Sequence, residues 1–371
     1  MGIKRIGIVG GGQLGLMIGE AAEALGYESV SLDPAVDAPS RAVCVDHIVA
    51  AYDDEQALEH LCEMTDVVTY EFENIPAAVI EPLCERYNVP QGCAPLLDSQ
   101  DRLFEKQNAV RSGLRTPKFA AVDGGESLFA AIEQMGLPAV LKTRRMGYDG
   151  RGQMVIRTME DARVAAEQIT SPSILEEFVQ FDYEVSTVVV RSKDDSVVFP
   201  IGRNIHKRGV LDLCVVPAAI SDEFRERVER GSLAFMEQCG YYGILAIEYF
   251  VKGDEVIFNE MAPRPHNSGH YTIEGCDGGS QFSQLVRYLV GEPFDTVSLA
   301  AESVIMKNIL GEDMAVAQQI AAECESGEHE GCYVHLYGKS ECKVGRKMGH
   351  ITFVGLSEAE YYERWASRFA D

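Results

Sequence analysis

A short apolar run, Ile6-Gly-Ile-Val9, passes directly into Gly10-Gly-Gly-Gln-Leu-Gly15, and no other feature limits the fold as much. Glycines at that spacing suit a tight strand-to-helix turn, and the alternating strands and helices that follow up to about Asp98 make it the first turn of a parallel sheet. Ile18, Ala21, Ala22 and Leu25 then fall on one face of a helix. A second strand, Ser29 to Leu32, ends at Asp33-Pro34. A further strand, Val67-Val-Thr-Tyr70, delivers Glu71-Phe-Glu-Asn-Ile-Pro76 at its carboxyl end. Open parallel sheets bind ligands at that end.

Read alone, the glycine motif with acidic Asp33 after the next strand is a dinucleotide fingerprint and suggests an NAD enzyme. An acid followed at once by Pro34 is an odd ribose clamp, and nothing downstream resembles a hydride-transfer site. Bulk properties narrow the class further. A chain of 371 residues is expected to divide into two to four lobes. No apolar stretch is long enough for a spanning helix, and the N-terminus lacks the pattern of a signal peptide. Ten cysteines without a CxxC pair read as reduced thiols of a cytoplasmic protein. A net charge of -25 argues against nucleic acid or a membrane surface as partner. Overall charge does not decide a site; local clustering does.

From Gln100 the pattern changes. A helix carrying Leu103, Phe104, Gln107 and Val110 precedes the strand Ala139-Val-Leu-Lys142 and a glycine-rich loop, Arg144 to Gly152. A lysine at that strand end can reach nucleotide phosphates while loop amides close over them. Glu176-Glu-Phe-Val179, followed by Glu184, resembles a hinge that reads an adenine edge through backbone groups, with an acid for the ribose. Two apolar strands carry Glu248 and Asn259-Glu260, joined by Lys252-Gly-Asp254. Such a hairpin sets the two carboxylates side by side, which is costly unless a cation lies between them. Oxygen-only ligands point to magnesium. The dense polar loop Pro263-Arg-Pro-His-Asn-Ser-Gly-His270 follows, and Glu302 to Phe353 reads as a shorter β-rich stretch. It contains Lys339, Lys343, Arg346 and Lys347, a cation cluster suited to phosphate.

In that order the strings Gly10 to Gly15, Tyr70 to Pro76, Gly147-Tyr-Asp-Gly150, Asn259 to His270 and Gly345-Arg-Lys-Met-Gly-His350 resemble the N5-carboxyaminoimidazole ribonucleotide synthetases, over residues 6 to 350. The resemblance implies an ATP-grasp fold, mixed α/β and α+β, with a Rossmann-like N-terminal domain (1–98) that holds no NAD. It implies ATP-grasp parts over 99–180, including a small lid, and 181–295, with the metal site, then a β-rich C-terminal domain (296–371). It further implies ATP, magnesium and bicarbonate, with 5-aminoimidazole ribonucleotide as acceptor, a homodimer and transient contact with a downstream mutase. Roles carried over by the resemblance are ATP binding at Arg102, Lys106, Lys142, Glu176, Glu177, Phe178, Val179, Glu184, His206 and Asn259, with metal at Glu248 and Glu260. Arg264 and His266 hold bicarbonate and its phosphorylated form; Tyr148 and Asp149 complete the pocket, with Asp149 taking the amine proton. Gly12, Gln13, Leu14, Glu73, Arg264, Lys339, Arg346 and Lys347 bind the ribonucleotide.

Two departures stand out. Met146 occupies a place where the family often has glycine, and Leu16 one where many members carry arginine. The rival readings are a formate-using glycinamide ribonucleotide transformylase, which shares the Glu71-Phe72-Glu73-Asn74 string, another ATP-grasp ligase such as a biotin carboxylase, a nucleotide-binding regulator without turnover, and the NAD enzyme.

Overall fold

The first strand pairs in parallel on both sides, which fixes the N-terminal sheet around it. In the computed structural model, which describes residues 2–147 and 152–369, β1 (Arg5–Val9), β2 (Glu28–Asp33), β3 (Asp46–Val49) and β4 (Val67–Tyr70) lie in the order β3-β2-β1-β4. β1 and β4 are buried along almost their whole length, as expected for a sheet with covered faces. The helix Gln13–Ala24 starts at the glycine turn and buries Leu14, Met17, Ile18 and Ala22.

A second sheet is antiparallel: β5 (Phe119–Val122), β6 (Ala139–Thr143), β7 (Gln153–Ile156) and β8 (Ser173–Glu177) run β5-β8-β6-β7. The third has nine strands. β9 (Tyr183–Arg191) pairs with the short β10 (Ser196–Val198) at one end. β11 (Gly202–Lys207), β12 (Val210–Val216), β13 (Gly243–Lys252) and β14 (Glu255–Ala262) form most of the rest. A two-residue ladder joins β15 (Cys276–Asp277) to β16 (Ser298–Leu299). β17 (Val304–Leu310), β18 (Cys332–Leu336) and β19 (Lys347–Val354) then complete the nine in the order β14-β13-β9-β11-β12-β17-β19-β18.

The strands of the β-rich C-terminal stretch extend the central sheet, β12 pairing with β17 from Leu213–Lys307 to Val216–Val304. The stretch also holds a helix, Met314–Glu325, packed on β18. The helix Arg102–Arg111 turns its apolar residues outward. Phe104 and Val110 are exposed, while Glu105, Lys106, Asn108 and Ala109 are buried. A helix that buries its charged side does so only where those charges have partners, and they do.

Candidate active site

A cleft of about 610 Å3 is lined by strands of the second and third sheets and by the segments that follow β1 and β4 of the N-terminal sheet. One wall is the β13–β14 hairpin, whose register sets Glu248 directly opposite Glu260. Burial and the facing Glu260 push the Glu248 carboxyl up to about 8. Burial would raise Glu260 too, but Arg102 and Lys142 bring it below the usual carboxylate range. Arg102 Nη1 stands 3.3 Å from Glu260 Oε2. Two facing carboxylates, one of which resists ionising, mark a place that lacks positive charge.

Among the described residues no three His, Cys, Asp or Glu side chains converge to cage a metal unaided. A pair of carboxylates facing a roomy cleft instead suits magnesium, which takes one or two protein carboxylates and completes its shell with phosphate oxygens and water. The donor set therefore fits.

Beneath the hairpin, the buried Glu176 carboxylate separates two lysines. Lys142 Nζ lies 2.8 Å from its Oε2 and Lys106 Nζ 3.8 Å from it. Burial lowers Lys106, against the pull of Glu176. Burial would raise Glu176, but the two lysines hold it below its ordinary value. Lys106 also donates to the Asn259 carbonyl, which explains why its helix faces inward. The Glu176 side chain is thus a lysine spacer, and Glu176, Glu177, Phe178 and Val179 are not among the residues that line the cleft. The N–H groups of Glu177 and Phe178 donate to the carbonyls of Lys118 and Pro138. Glu184 does reach the cleft, with its Oε2 2.5 Å from His206 Nδ1. Burial opposes protonation of His206, and the bond to Glu184 outweighs it.

On the opposite wall the glycine turn is filled by the protein's own acids. Gly11 N–H donates to Asp33 Oδ2 (2.8 Å) and Gly12 N–H to Glu71 Oε1 (2.8 Å). Tyr52 donates to Asp33 Oδ2, and Ala35 N–H to its Oδ1. A Cβ at Gly10 would sit 2.5 Å from Glu71 Cγ, and one at Gly11 2.8 Å from Asp33 Cβ. Asp33 is thus spent inside the fold, and the ribose-clamp reading fails. Burial raises Glu71 to about 7 despite its Gly12 bond.

Arg264 and Glu73 meet across the cleft, with Nε and Nη2 both 2.5 Å from Oε2. His266 Nε2 stands 3.5 Å from Glu248 Oε1. Burial, reinforced by Arg264, keeps His266 well below the usual histidine range, hence neutral. Gln281 clamps its backbone as a fork: His266 N–H donates to Gln281 Oε1 (2.9 Å) and Gln281 Nε2 donates to the His266 carbonyl (2.8 Å).

Of the expected residues, the cleft brings together Gln13, Leu14, Glu73, Arg102, Lys142, Glu184, His206, Glu248, Asn259, Glu260, Arg264, His266 and Lys347. Gly12, Lys106, Lys339 and Arg346 are not among the lining residues. Lys339 Nζ donates to the Lys347 carbonyl (2.7 Å), and Arg346 Nη1 to the Glu341 carbonyl (2.7 Å). Burial, with Arg346 nearby, lowers Lys339 to about 8. Tyr148 and Asp149 lie outside the described residues. Sequence reasoning assigned no role to Glu71, Asp101 or Glu105. Glu105 Oε1 accepts the Met261 N–H (2.5 Å), and Asp101 holds Arg144 (2.7 Å) and Arg145 (3.2 Å) at the mouth of the glycine-rich loop. Only Glu71, directly after a strand end, carried a local signal.

An acid pair on a hairpin, a lysine-bearing strand and a parallel α/β sheet end facing one cleft make the arrangement of an ATP-grasp ligase. The ATP-grasp domain matches residues 107–282, the ribonucleotide synthetase preATP-grasp domain residues 3–96, and the phosphoribosylaminoimidazole carboxylase C-terminal domain residues 304–364. The chain belongs to the N5-carboxyaminoimidazole ribonucleotide synthase family. It is 40% identical to the Brucella melitensis member over 352 residues, 94% of this chain and 95% of that one. The Staphylococcus aureus enzyme complexed with ADP superposes with a TM-score of 0.91 at 38% identity, covering 99% of this chain and 97% of that one. The Aspergillus clavatus enzyme, in complex with ADP and 5-aminoimidazole ribonucleotide, gives 0.88 at 27% identity, covering 98% and 97%. The chain is therefore an ATP-dependent ligase, and the oxidoreductase and formate-transferring alternatives fall away.

Proposed function

We propose that this chain carboxylates the amine of 5-aminoimidazole ribonucleotide, with ATP and bicarbonate as co-substrates. The observation that carries the reading is the Glu248–Glu260 pair, set opposite Arg264 and His266 in a cleft that also receives the end of the N-terminal sheet. The γ-phosphoryl group of ATP passes to a bicarbonate oxygen, giving ADP and carboxyphosphate. Loss of phosphate then yields CO2, which the exocyclic amine attacks as it gives up a proton. Magnesium held by Glu248 and Glu260 would neutralise charge on the transferred phosphoryl.

The chain's own residues divide the remaining work. Lys142 and Arg102 face the phosphates, while Glu176 fixes Lys142 and Lys106 at their spacing. Glu184, held by His206, takes the ribose hydroxyls; Asn259 supports the metal side, and Glu177, Phe178 and Val179 the adenine edge. Arg264 and His266 fix bicarbonate and carboxyphosphate by hydrogen bonds that a water-poor cleft strengthens. Glu73 receives the amine, with Gly12, Gln13 and Leu14 beside the ribonucleotide and Lys339, Arg346 and Lys347 at its 5'-phosphate. Tyr148 complements Asp149, the acceptor of the amine proton. Lobes 1–98, 99–180, 181–295 and 296–371 carry these parts.

The same reading takes the enzyme to be a cytoplasmic homodimer that passes its product to a downstream mutase by transient contact. Ten unpaired thiols support the location, and no described helix is long and apolar enough to cross a membrane. The direct test is 13C-bicarbonate with ATP and the ribonucleotide. Label should appear as a carbamate carbon on the ribonucleotide only when ATP is present; ATP-independent label, or none, contradicts the proposal.

A further inference from the structure

The proposed bicarbonate site contains a histidine whose hydrogen-bond polarity can be traced inward for three residues. His266 Nδ1 lies 2.8 Å from Ser268 Oγ and accepts the Ser268 backbone N–H at 3.3 Å. Ser268 Oγ in turn accepts from Ser186 Oγ at 2.8 Å. Asn204 Nδ2 donates to Ser186 Oγ at 3.0 Å. Ser186, Asn204 and Ser268 are all buried, so these bonds have no water to replace them.

One direction of protons satisfies the whole series. Asn204 Nδ2 donates to Ser186 Oγ, whose one hydrogen has two acceptors in reach, Ser268 Oγ at 2.8 Å and Asn204 Oδ1 at 3.3 Å, and the shorter contact takes it to Ser268. Ser268 then has its hydroxyl hydrogen left for His266 Nδ1. The reverse direction would place a hydrogen on Nδ1, facing the backbone N–H of Ser268 donor to donor. Nδ1 is therefore the bare nitrogen, and the ring hydrogen sits on Nε2. That atom faces the cleft, 3.5 Å from Glu248 Oε1. The Gln281 fork keeps the backbone of His266 from rotating away, and it depends on Gly269, where a Cβ would approach Gln281 Oε1 to 2.6 Å.

We propose that the Asn204–Ser186–Ser268 series is a positioning relay that locks His266 as the neutral Nε2–H tautomer, so that His266 serves the reaction as a fixed hydrogen-bond donor to a bicarbonate or carboxyphosphate oxygen and not as a general base. A donor aimed where negative charge gathers stabilises it without reorganising. With Nδ1 engaged by two donors and Nε2 already protonated, the ring has no lone pair to offer the cleft. The proposal deepens the functional reading above and rests on it for the identity of the oxygen, but not for the tautomer.

The test uses the full chain labelled with 15N-histidine and long-range proton–nitrogen correlation spectra, His266 being identified by the signals lost in His266→Gln. The expected spectrum has a protonated Nε2 and a bare Nδ1. Ser268→Ala should mix the two tautomers and lower kcat about tenfold while leaving KM for ATP within about twofold. Ser268→Thr, which keeps the hydroxyl, should restore both signals and rate. Should Ser268→Ala fail to fold, Ser186→Ala removes the next link and should lower kcat in the same sense, about threefold. A protonated Nδ1 in the unaltered chain, or an alanine variant with unchanged tautomer and rate, would overturn the proposal. Loss of bicarbonate-dependent turnover in the unaltered chain would instead overturn the functional reading, since the spectrum reports the tautomer independently.

Discussion

The glycine turn of the N-terminal sheet and the acid hairpin of the central sheet look alike at first: each places two carboxylates close together beside the same cleft. They differ in what surrounds those carboxylates. Asp33 accepts the Gly11 and Ala35 N–H groups and Tyr52, so both its oxygens are engaged within the fold, and Glu71 accepts the Gly12 N–H through Oε1. Glu248 and Glu260 face each other and the open cleft, with Glu248 pushed up to about 8. The first pair is structure; the second is unfinished without a cation. A motif is thus read by whether its polar groups are satisfied, not by its spelling.

The comparison is broken most severely at the hairpin. Glu260→Ala should lower ATP turnover on the order of a thousandfold, since it removes a carboxylate from the metal position. Normal turnover measured as ADP release would remove the metal assignment. Lys339→Ala should raise KM for the ribonucleotide about tenfold, the cost of one charged contact to a phosphate. Its pH dependence has a definite sign. Lys339, lowered to about 8, is charged below that pH and loses its charge above it. KM for the ribonucleotide should stay level up to about pH 8 and climb beyond it, and Lys339→Arg should flatten the climb. A loss confined to ATP binding would move the residue to the other site.

At the glycine turn the expected effects are on stability. Asp33→Ala leaves three donors without their acceptor and should cost about 1–3 kcal/mol in denaturant unfolding, while ATP turnover stays within about threefold. A large loss of turnover would mean that this turn takes part in chemistry after all. The smallest effect belongs to Met146, which lies at φ 61°, a conformation that favours glycine. Met146→Gly should stabilise the fold by about 1 kcal/mol or less, read as a small rise in Tm.

The sequence made the local elements legible because their causes are local. Glycine spacing forces the first turn, and alternation on β13 and β14 predicts that Glu248 and Glu260 share a face. It could not show which charges were already neutralised. That Glu176 separates Lys142 from Lys106, or that the helix Arg102–Arg111 turns Glu105 and Lys106 inward, depends on partners distant in the chain. The same limit hid the joining of β17 to β12, since strand pairing across 90 residues leaves no periodic trace. Asp101, which anchors Arg144 and Arg145, shows no pattern of its own.

The most direct test is ADP release in a coupled assay with ATP, magnesium and bicarbonate, run with and without 5-aminoimidazole ribonucleotide. Release that depends strongly on the ribonucleotide is the predicted result. No stimulation by it, with activity appearing instead on glycinamide ribonucleotide and formate, would keep the fold and contradict the substrate.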